Sequence, residues 1–477
     1  MSIPAAIVWF RNDLRLADNP TFAAACERGS VVPVFIVQTD ENKHWSRGGA
    51  SCWWLSQSLR SLDTDLRSRG GRLFVLKGGA GRKLIEAASA SGADTVCWTE
   101  RWEPELSAFD RMVQDELESV GLRVEVFNSH LLADPARLVN LSGSAYRVFT
   151  PFYNACLEII SPAPPKPAPE VVRLPDSLPE SFSVDEIASF SGFIPSNHTD
   201  CWTPGEKGAL EKISKFIDSA ARYADARDRP DLDLTSRLSP HLHFGEISVS
   251  QVWHEVSMLR SRDESAAEGC SAFLRQLCWR EFGYYLLHHF PETTERPLRP
   301  EFEKFPWADD SESFNLWCNG LTGYPLVDAG MRELKHTGWM HNRVRLAAAS
   351  FLVKDLLIPW QQGARWFWDM LVDADLANNT LGWQWTAGCG ADAAPYFRIF
   401  NPVLQGMKFD PDGDYVRRWV PELARMPAEW IHRPFDAPLS VLMDSGLDLG
   451  KTYPMPVVDH SFARERALAA FSRIRQR

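Results

Sequence analysis

Apolar and polar positions change rhythm twice along the chain. Between residues 5 and 128, short apolar or β-branched runs alternate with segments of helical spacing; the runs are Ala6-Ile-Val-Trp-Phe10, Val31-Val-Pro-Val-Phe-Ile-Val37, Arg72-Leu-Phe-Val-Leu76, Thr95-Val-Cys-Trp98 and Arg123-Val-Glu-Val-Phe127. Five strands alternating with helices predict a parallel, doubly wound α/β sheet, a Rossmann-like N-terminal domain over residues 1–130. The Gly78-Gly-Ala-Gly81 turn follows a strand but lacks the full Gly-x-Gly-x-x-Gly pattern, so it reads as a plain turn. Ser161-Pro-Ala-Pro-Pro-Lys-Pro-Ala-Pro169 and the Ser-rich stretch to about residue 200 offer few apolar anchors, and residues 131–202 are read as a long interdomain linker. From about 203 the spacing turns helical. Phe273-Leu-Arg-Gln-Leu-Cys-Trp-Arg-Glu-Phe282 and Val344-Arg-Leu-Ala-Ala-Ala-Ser-Phe-Leu352 place apolar residues at i, i+3 and i+4, predicting an all-α domain over 203–477.

Length supports this division, since 477 residues exceed one usual core. With 45% hydrophobic and 24% charged residues the chain reads as a soluble globular protein. Its amino-terminal apolar stretch is too short for a signal segment and no run reaches membrane-spanning length, so the expectation is a cytoplasmic protein without a membrane partner. A formal charge of −11 argues against indiscriminate coating of nucleic acid and leaves room for one local basic groove. The nine cysteines are scattered and never spaced Cys-x-x-Cys, so they are read as reduced thiols, with no metal or disulfide framework.

The chemistry concentrates in the helical half. Nine of the 19 tryptophans lie between 279 and 385, and Asp373-Ala-Asp-Leu-Ala-Asn-Asn-Thr-Leu-Gly-Trp-Gln-Trp385, followed by Ala394-Pro-Tyr-Phe-Arg-Ile-Phe-Asn-Pro402, crowds carboxylates, amides and indoles together. Such a stretch suits a buried site for a large aromatic cofactor. Thr235-Ser-Arg-Leu-Ser-Pro240 puts hydroxyls, backbone amides and a guanidinium at a helix start, a phosphate cradle; a simple Ser N-cap accounts for the hexamer as well. Helical spacing puts Gln276, Trp279 and Gly283 on one face, and Asn342, Arg345, Leu346 and Ala349 on another. Arg345, Asp373 and Asp375 sit in apolar surroundings where a charge needs a partner, so an Arg345–Asp373 pair is expected, either beside a ligand or purely structural. Arg227, Arg229, Arg343 and Arg398 are candidates for gripping phosphates from outside the pocket, with a damaged base stacking on Trp385.

These motifs resemble the cryptochrome/photolyase flavoproteins over nearly the whole chain. The strings that carry the resemblance are Ile7-Val-Trp-Phe-Arg-Asn-Asp-Leu-Arg-Leu16, Thr235-Ser-Arg-Leu-Ser-Pro-His-Leu-His-Phe-Gly245, Trp279-Arg-Glu-Phe282, Thr322-Gly-Tyr-Pro-Leu-Val-Asp328, Gly338-Trp-Met-His-Asn-Arg343 and the 373–402 block. The resemblance implies FAD in the helical domain, with Tyr223, Thr235, Ser236, Arg237, Leu238 and Ser239 on its phosphates. Gln276, Arg280, Asn342, Arg345, Asp373, Asp375 and Asn379 would line the flavin, Asn379 facing its N5 edge. Trp383, Trp360 and Trp307 match the family's electron-transfer chain. Gln276, Trp279, Asn342, Leu346, Trp385, Arg343 and Arg398 would meet the substrate, a lesion in UV-damaged DNA. The implied reaction is light-dependent: an electron from photoexcited reduced FAD opens the cyclobutane ring of a pyrimidine dimer and then returns.

Within the family the chain is most like the plant-cryptochrome-like bacterial (class III) photolyases, which implies methenyltetrahydrofolate as antenna, in the region of Glu41 through Trp54 and Trp98 through Glu103, and a monomer. Gln276 and Leu346 depart from the Glu and Met of the best-known cyclobutane-dimer photolyases, which puts efficiency or lesion preference in question. The (6-4) photolyases carry His where Asn342 and Leu346 stand, so that chemistry is not expected. The alternative is a blue-light cryptochrome photoreceptor with little or no repair. Asn379, where plant cryptochromes have Asp, and the short segment after Ala467 favour repair. A light-independent flavin oxidoreductase finds no supporting feature.

Overall fold

A computed structural model describes residues 4–38, 45–140, 143–190, 201–393 and 398–475. Every residue of β1 (Ala5–Phe10) is buried, because Ala5, Ile7 and Trp9 enter one apolar cluster while Ala6, Val8 and Phe10 enter another. A central parallel strand covered on both faces requires such a continuous apolar run. β2 (Ser30–Gln38) and β4 (Thr95–Thr99) flank it, with β3 (Phe74–Gly78) and β5 (Arg123–Phe127) at the edges. All pairs are parallel in the order β3-β2-β1-β4-β5, and Ile7 stands between Val32 and Val96. Each strand falls on an expected run, β3 starting two residues later than its run. Helices α1 (Pro20–Arg28) and α2 (Gly49–Arg67) cover one face; α3 (Ala80–Ser91) and α4 (Pro104–Ser119) cover the other. The doubly wound α/β domain is therefore present.

Within the span read as linker there is a helix, α5 (Phe149–Ile159). Its Phe149, Phe152 and Cys156 join the core that holds Phe282 and Tyr285, and the Phe149 ring stacks on Trp279 at 3.7 Å and 5°. Residues 149–159 thus belong to the helical body rather than to a connector. The connector proper is the extended chain after them. It follows the sheet domain, Arg173 O accepting from Val31 N at 2.7 Å and Val172 N donating to Arg69 O at 2.8 Å. Residues 191–200 lie outside the described residues.

The helical body comprises α6 (Glu206–Ser219), α7 (Tyr223–Ala226), α8 (Ser239–His243), α9 (Val249–Arg262), α10 (Ala267–His289), α11 (Ser311–Asn319), α12 (Pro325–Thr337), α13 (Asn342–Ser350), α14 (Trp360–Met370), α15 (Leu376–Ala387), α16 (Pro402–Phe409), α17 (Asp414–Trp419), α18 (Leu439–Ser445) and α19 (His460–Arg475). One core gathers α5, α6, α9 and α10, and a second gathers α12, α13, α14 and α19. After Ser350, α13 continues as a π-turn, Phe351–Asp355.

Buried polar contacts join the two domains. The Trp54 indole on α2 donates to Glu246 Oε1 at 2.9 Å, Arg15 donates to the Gly245 carbonyl at 3.0 Å, and Glu206 accepts from Leu16 N at 2.8 Å. No helix among the described residues is long and apolar enough to cross a membrane, and no group of metal-ligating side chains is found among them.

Candidate active site

A cavity of about 990 Å³ opens in the helical body, walled by α8, α10, α13, α15 and α16. The Thr235–Ser239 loop enters α8 with Pro240 in the helix's first turn. Arg237 holds a left-handed backbone, φ 50°, a conformation that non-glycine residues adopt sparingly and that often marks a ligand-shaped turn. Ser236 Oγ accepts from Leu238 N at 3.3 Å. Ser239 Oγ accepts from the Trp339 indole at 3.3 Å, and the Arg237 guanidinium lies 4.8 Å over the Trp339 ring. Tyr223 packs edge-on against Phe216 and Phe273 at 5.3 and 5.5 Å.

The carboxylates come from the turn before α15. Asp373 accepts from Arg345 Nη2 at 2.8 and 3.1 Å, so the expected pair is present, and Arg345 is fixed further by Nε to Met340 O at 2.7 Å. Asp375 is the N-cap of α15, its Oδ1 accepting from Asn378 N at 2.8 Å. Its Oδ2 accepts from the Tyr284 hydroxyl and lies 3.5 Å from His243 Nδ1. Burial alone would raise the Asp375 carboxyl, but His243, Arg280 and Tyr284 together hold it well below the usual carboxylate range. Arg280 is anchored from behind, Nη1 donating to His130 O at 2.9 Å. Asn379 Nδ2 donates to Ala364 O at 3.1 Å, which leaves Oδ1 and the second N–H of this amide for a ligand.

Gln276, Trp279, Asn342, Arg343, Leu346, Trp385 and Arg398 line the same cavity. Gln276 Oε1 accepts from Arg227 at 3.2 Å. Arg343 pairs with Asp228 at 2.7 Å and stacks on Phe409 at 4.4 Å. Arg229 does not line the cavity, and its guanidinium pairs with Asp231. Gly283, seven positions after Gln276 on α10, is outside the cavity lining and lets the α15 backbone at Ala377 come close. Residues 394–397 of the Ala394–Pro402 string lie outside the described residues.

Sequence reasoning passed over several wall residues: Asp228, His243, Trp339, His341, Gln405 and Lys408. Trp339 and His341 stand inside a quoted motif, but nothing in their spacing separates ligand contact from capping. His341 Nε2, Thr386 Oγ1 and Gln405 Oε1 are buried without a partner among the described residues. Buried polar atoms need partners, so this wall is built for a polar ligand. The hydroxyls, guanidiniums, carboxylates, amides and indoles of this lining fit FAD, which carries a diphosphate, two heterocycles and a ribityl chain.

Two runs of indoles approach the cavity. Trp383 lies in its wall and packs over Gly363 of α14. Trp360, one turn earlier on α14, is buried, and Trp307 is half-buried; Ala308, next to Trp307, donates to Leu357 O at 2.8 Å. Neither Trp360 nor Trp307 is in the cavity's lining. The second run starts at Trp339 and passes to Trp202 at 6.4 Å, Trp54 at 5.3 Å and the half-buried Trp53 at 6.1 Å.

A smaller cavity of about 280 Å³ lies where the two domains meet, lined by Trp45, Arg47, Glu103, Glu105, His243 and Trp368 among others. Trp45 and Trp368 meet edge to face at 5.3 Å. His243 and Ala374 line both cavities.

Comparison with known proteins agrees with this geometry. Residues 6–170 match the family described as DNA photolyase, and residues 273–473 match the FAD binding domain of DNA photolyase. A deoxyribodipyrimidine photo-lyase from Agrobacterium fabrum is 48% identical over the whole of both chains. Cryptochrome-2 of Arabidopsis thaliana is 40% identical, covering 98% of this chain and 79% of that one. The crystal structure of a class III photolyase from Agrobacterium tumefaciens superposes with a TM-score of 0.96 at 47% identity, covering 100% of this chain and 99% of the other. The chain therefore belongs to the DNA photolyase family, and its helical body is an FAD-binding domain of that family.

Proposed function

We propose that this protein splits cyclobutane pyrimidine dimers in UV-damaged DNA under blue or near-ultraviolet light, with FAD in the large cavity. One observation supports the reading: α10 and α13 each place, about a turn apart in one cavity wall, residues that the resemblance assigns to the cofactor and to the lesion. Arg280 follows Gln276 by four positions, and Arg345 lies between Asn342 and Leu346, all in one cavity wall. A base drawn into this cavity would meet the same helix faces as the flavin. Photolyases as a class extrude their target from the duplex, and extrusion explains how a few local cations suffice on a protein of charge −11.

Bound and reduced, FAD supplies a one-electron donor that light activates. The chain's residues do the rest. Thr235 through Ser239 and Tyr223 hold the phosphates. The Arg345–Asp373 pair and Asp375 fix polar edges without adding net positive charge. Asn379, oriented by Ala364 O, offers an acceptor to a protonated ring nitrogen and so favours the reduced cofactor. Gln276 and Asn342 hydrogen-bond the pyrimidine edges, Trp279 and Trp385 stack on the bases, Leu346 packs against them, and Arg343 and Arg398 hold flanking phosphates. Trp383, Trp360 and Trp307 form a path by which an electron from outside reaches the cavity; the Trp339 run offers another.

The smaller cavity suits methenyltetrahydrofolate as antenna. Its indoles give a pterin ring apolar faces, and Glu103, Glu105 and Arg47 give partners to polar edges. The sheet's switch point, where doubly wound folds usually bind ligands, is taken up by the buried Arg11 and Arg101 with Asp110. Binding of dimer-containing, (6-4)-containing and undamaged duplexes in the dark tests substrate choice. The dimer duplex is expected to bind about a hundredfold more tightly than the undamaged one, with the (6-4) duplex close to undamaged; equal affinity for all three contradicts the reading.

A further inference from the structure

We propose that the N-terminus of α13, with the His341 Nε2–H as its donor, is a phosphate-oxygen subsite in the wall of the large cavity. The inference deepens the reading of that cavity as the site of FAD and lesion DNA, and rests on it. His341 caps α13: its Nδ1 accepts from Arg343 N at 3.2 Å, while its carbonyl accepts from Val344 N and Arg345 N at 2.9 Å. A ring nitrogen that accepts a backbone N–H presents its lone pair there, so a neutral imidazole carries its proton on the other nitrogen. Burial keeps the ring neutral, pushing it down to about 4. The residue is 4% exposed, and Nε2 has no partner among the described residues. A buried donor left unpaired is costly, and this one lines the cavity.

The surroundings select the acceptor. Arg237, Arg343 and Arg345 face His341 together with the carboxylate of Asp228, which Arg343 already engages. Glu333 is occupied by His341 N at 3.3 Å and by the Tyr415 hydroxyl at 2.7 Å. The imidazole lies 6.3 Å from Trp339, whose indole is bonded to Ser239 of the cradle. A neutral donor at a helix N-terminus, beside guanidiniums that a ligand oxygen can share with Asp233, Asp228 and Asp373, favours an anionic oxygen. Two sources supply one here: the FAD diphosphate and the backbone of the lesion strand.

His341→Asn keeps a good N-cap acceptor and removes the ring donor; His341→Gln returns an amide donor with longer reach. Three quantities are measured in the dark for wild type and both variants: FAD affinity on reconstitution, affinity of the flavin-loaded protein for a dimer-containing duplex, and melting temperature. His341→Asn is expected to weaken one affinity tenfold or more at an unchanged melting temperature, with partial recovery in His341→Gln. Loss confined to FAD assigns the cofactor's diphosphate, and loss confined to the duplex assigns the strand. Variants that match a wild type binding both ligands overturn this inference alone, as do equal losses in both variants that follow a fall in melting temperature. A wild type that binds neither overturns the functional reading and the inference together.

Discussion

Asp375 caps a helix and faces a cofactor cavity with the same carboxylate, and its neighbour Asp373 does comparable double duty with Arg345. The guanidinium of Arg345 is 22% exposed and the Asp373 side chain 3%, so removing the arginine strands a buried charge. Arg345→Ala is expected to cost about 2–4 kcal/mol in urea unfolding of the cofactor-free protein, and a cost near zero would mean that the pair serves only a ligand. Glu281 behaves oppositely with pH. Burial pushes its carboxyl from 4.5 up to about 7 despite Arg280 and the amides of Ala133 and Leu132. The folded protein therefore keeps a proton that the unfolded chain releases above pH 4.5. That stabilisation is full below about 4.5 and is lost as pH rises through about 7, on the order of 1–3 kcal/mol. Glu281→Gln is expected to flatten the wild-type decline between pH 4.5 and 7; unchanged slopes would place the titration elsewhere. At this scale the sequence was legible where a charge stood in apolar surroundings, as with Arg345. It was not legible for His341, whose capping and cavity-facing atoms belong to one ring.

Gly363 sets how closely α14 and α15 approach. A side chain there would strike the Trp383 ring and Leu352. Gly363→Ala is expected to cost about 1–3 kcal/mol and, by displacing Trp383, to slow light-driven reduction of bound flavin severalfold while flavin content stays the same. Full-speed reduction with a displaced indole would remove Trp383 from the path. The strands and the helices α10 and α13 were readable from period alone, because β1 is apolar on both faces and α10 and α13 carry long helical patterns. The helix Phe149–Ile159 was not, because a proline-rich run directly after it made the whole region resemble a connector. At Gly283 helical spacing gives a face, and only the approach of α15 says what that face meets.

The charge distribution of the whole molecule belongs to the same account. With net charge −11 and few cations at the cavity, among them Arg227, Arg343, Arg398 and Lys408, lesion binding should release few counterions. Log affinity against log salt is expected to have a slope of roughly −3, and Arg343→Ala to make it shallower by about one; a slope near −8 would indicate an extended phosphate track instead. Two domains and a helical cofactor site could be read from the chain itself, but the interdomain cavity could not, since it is assembled from Trp45, Glu103, His243 and Trp368 across long sequence distances. The central claim is light-driven reversal of a cyclobutane dimer in the large cavity. Its most direct test gives the flavin-loaded, photoreduced protein an oligonucleotide with one such dimer and a second with a (6-4) product, in blue light and in darkness, and follows return of the undamaged pyrimidines. The account predicts restoration of the first substrate only, and only in the light. No restoration of either substrate by protein that holds reduced flavin would contradict it and make a blue-light photoreceptor the better account.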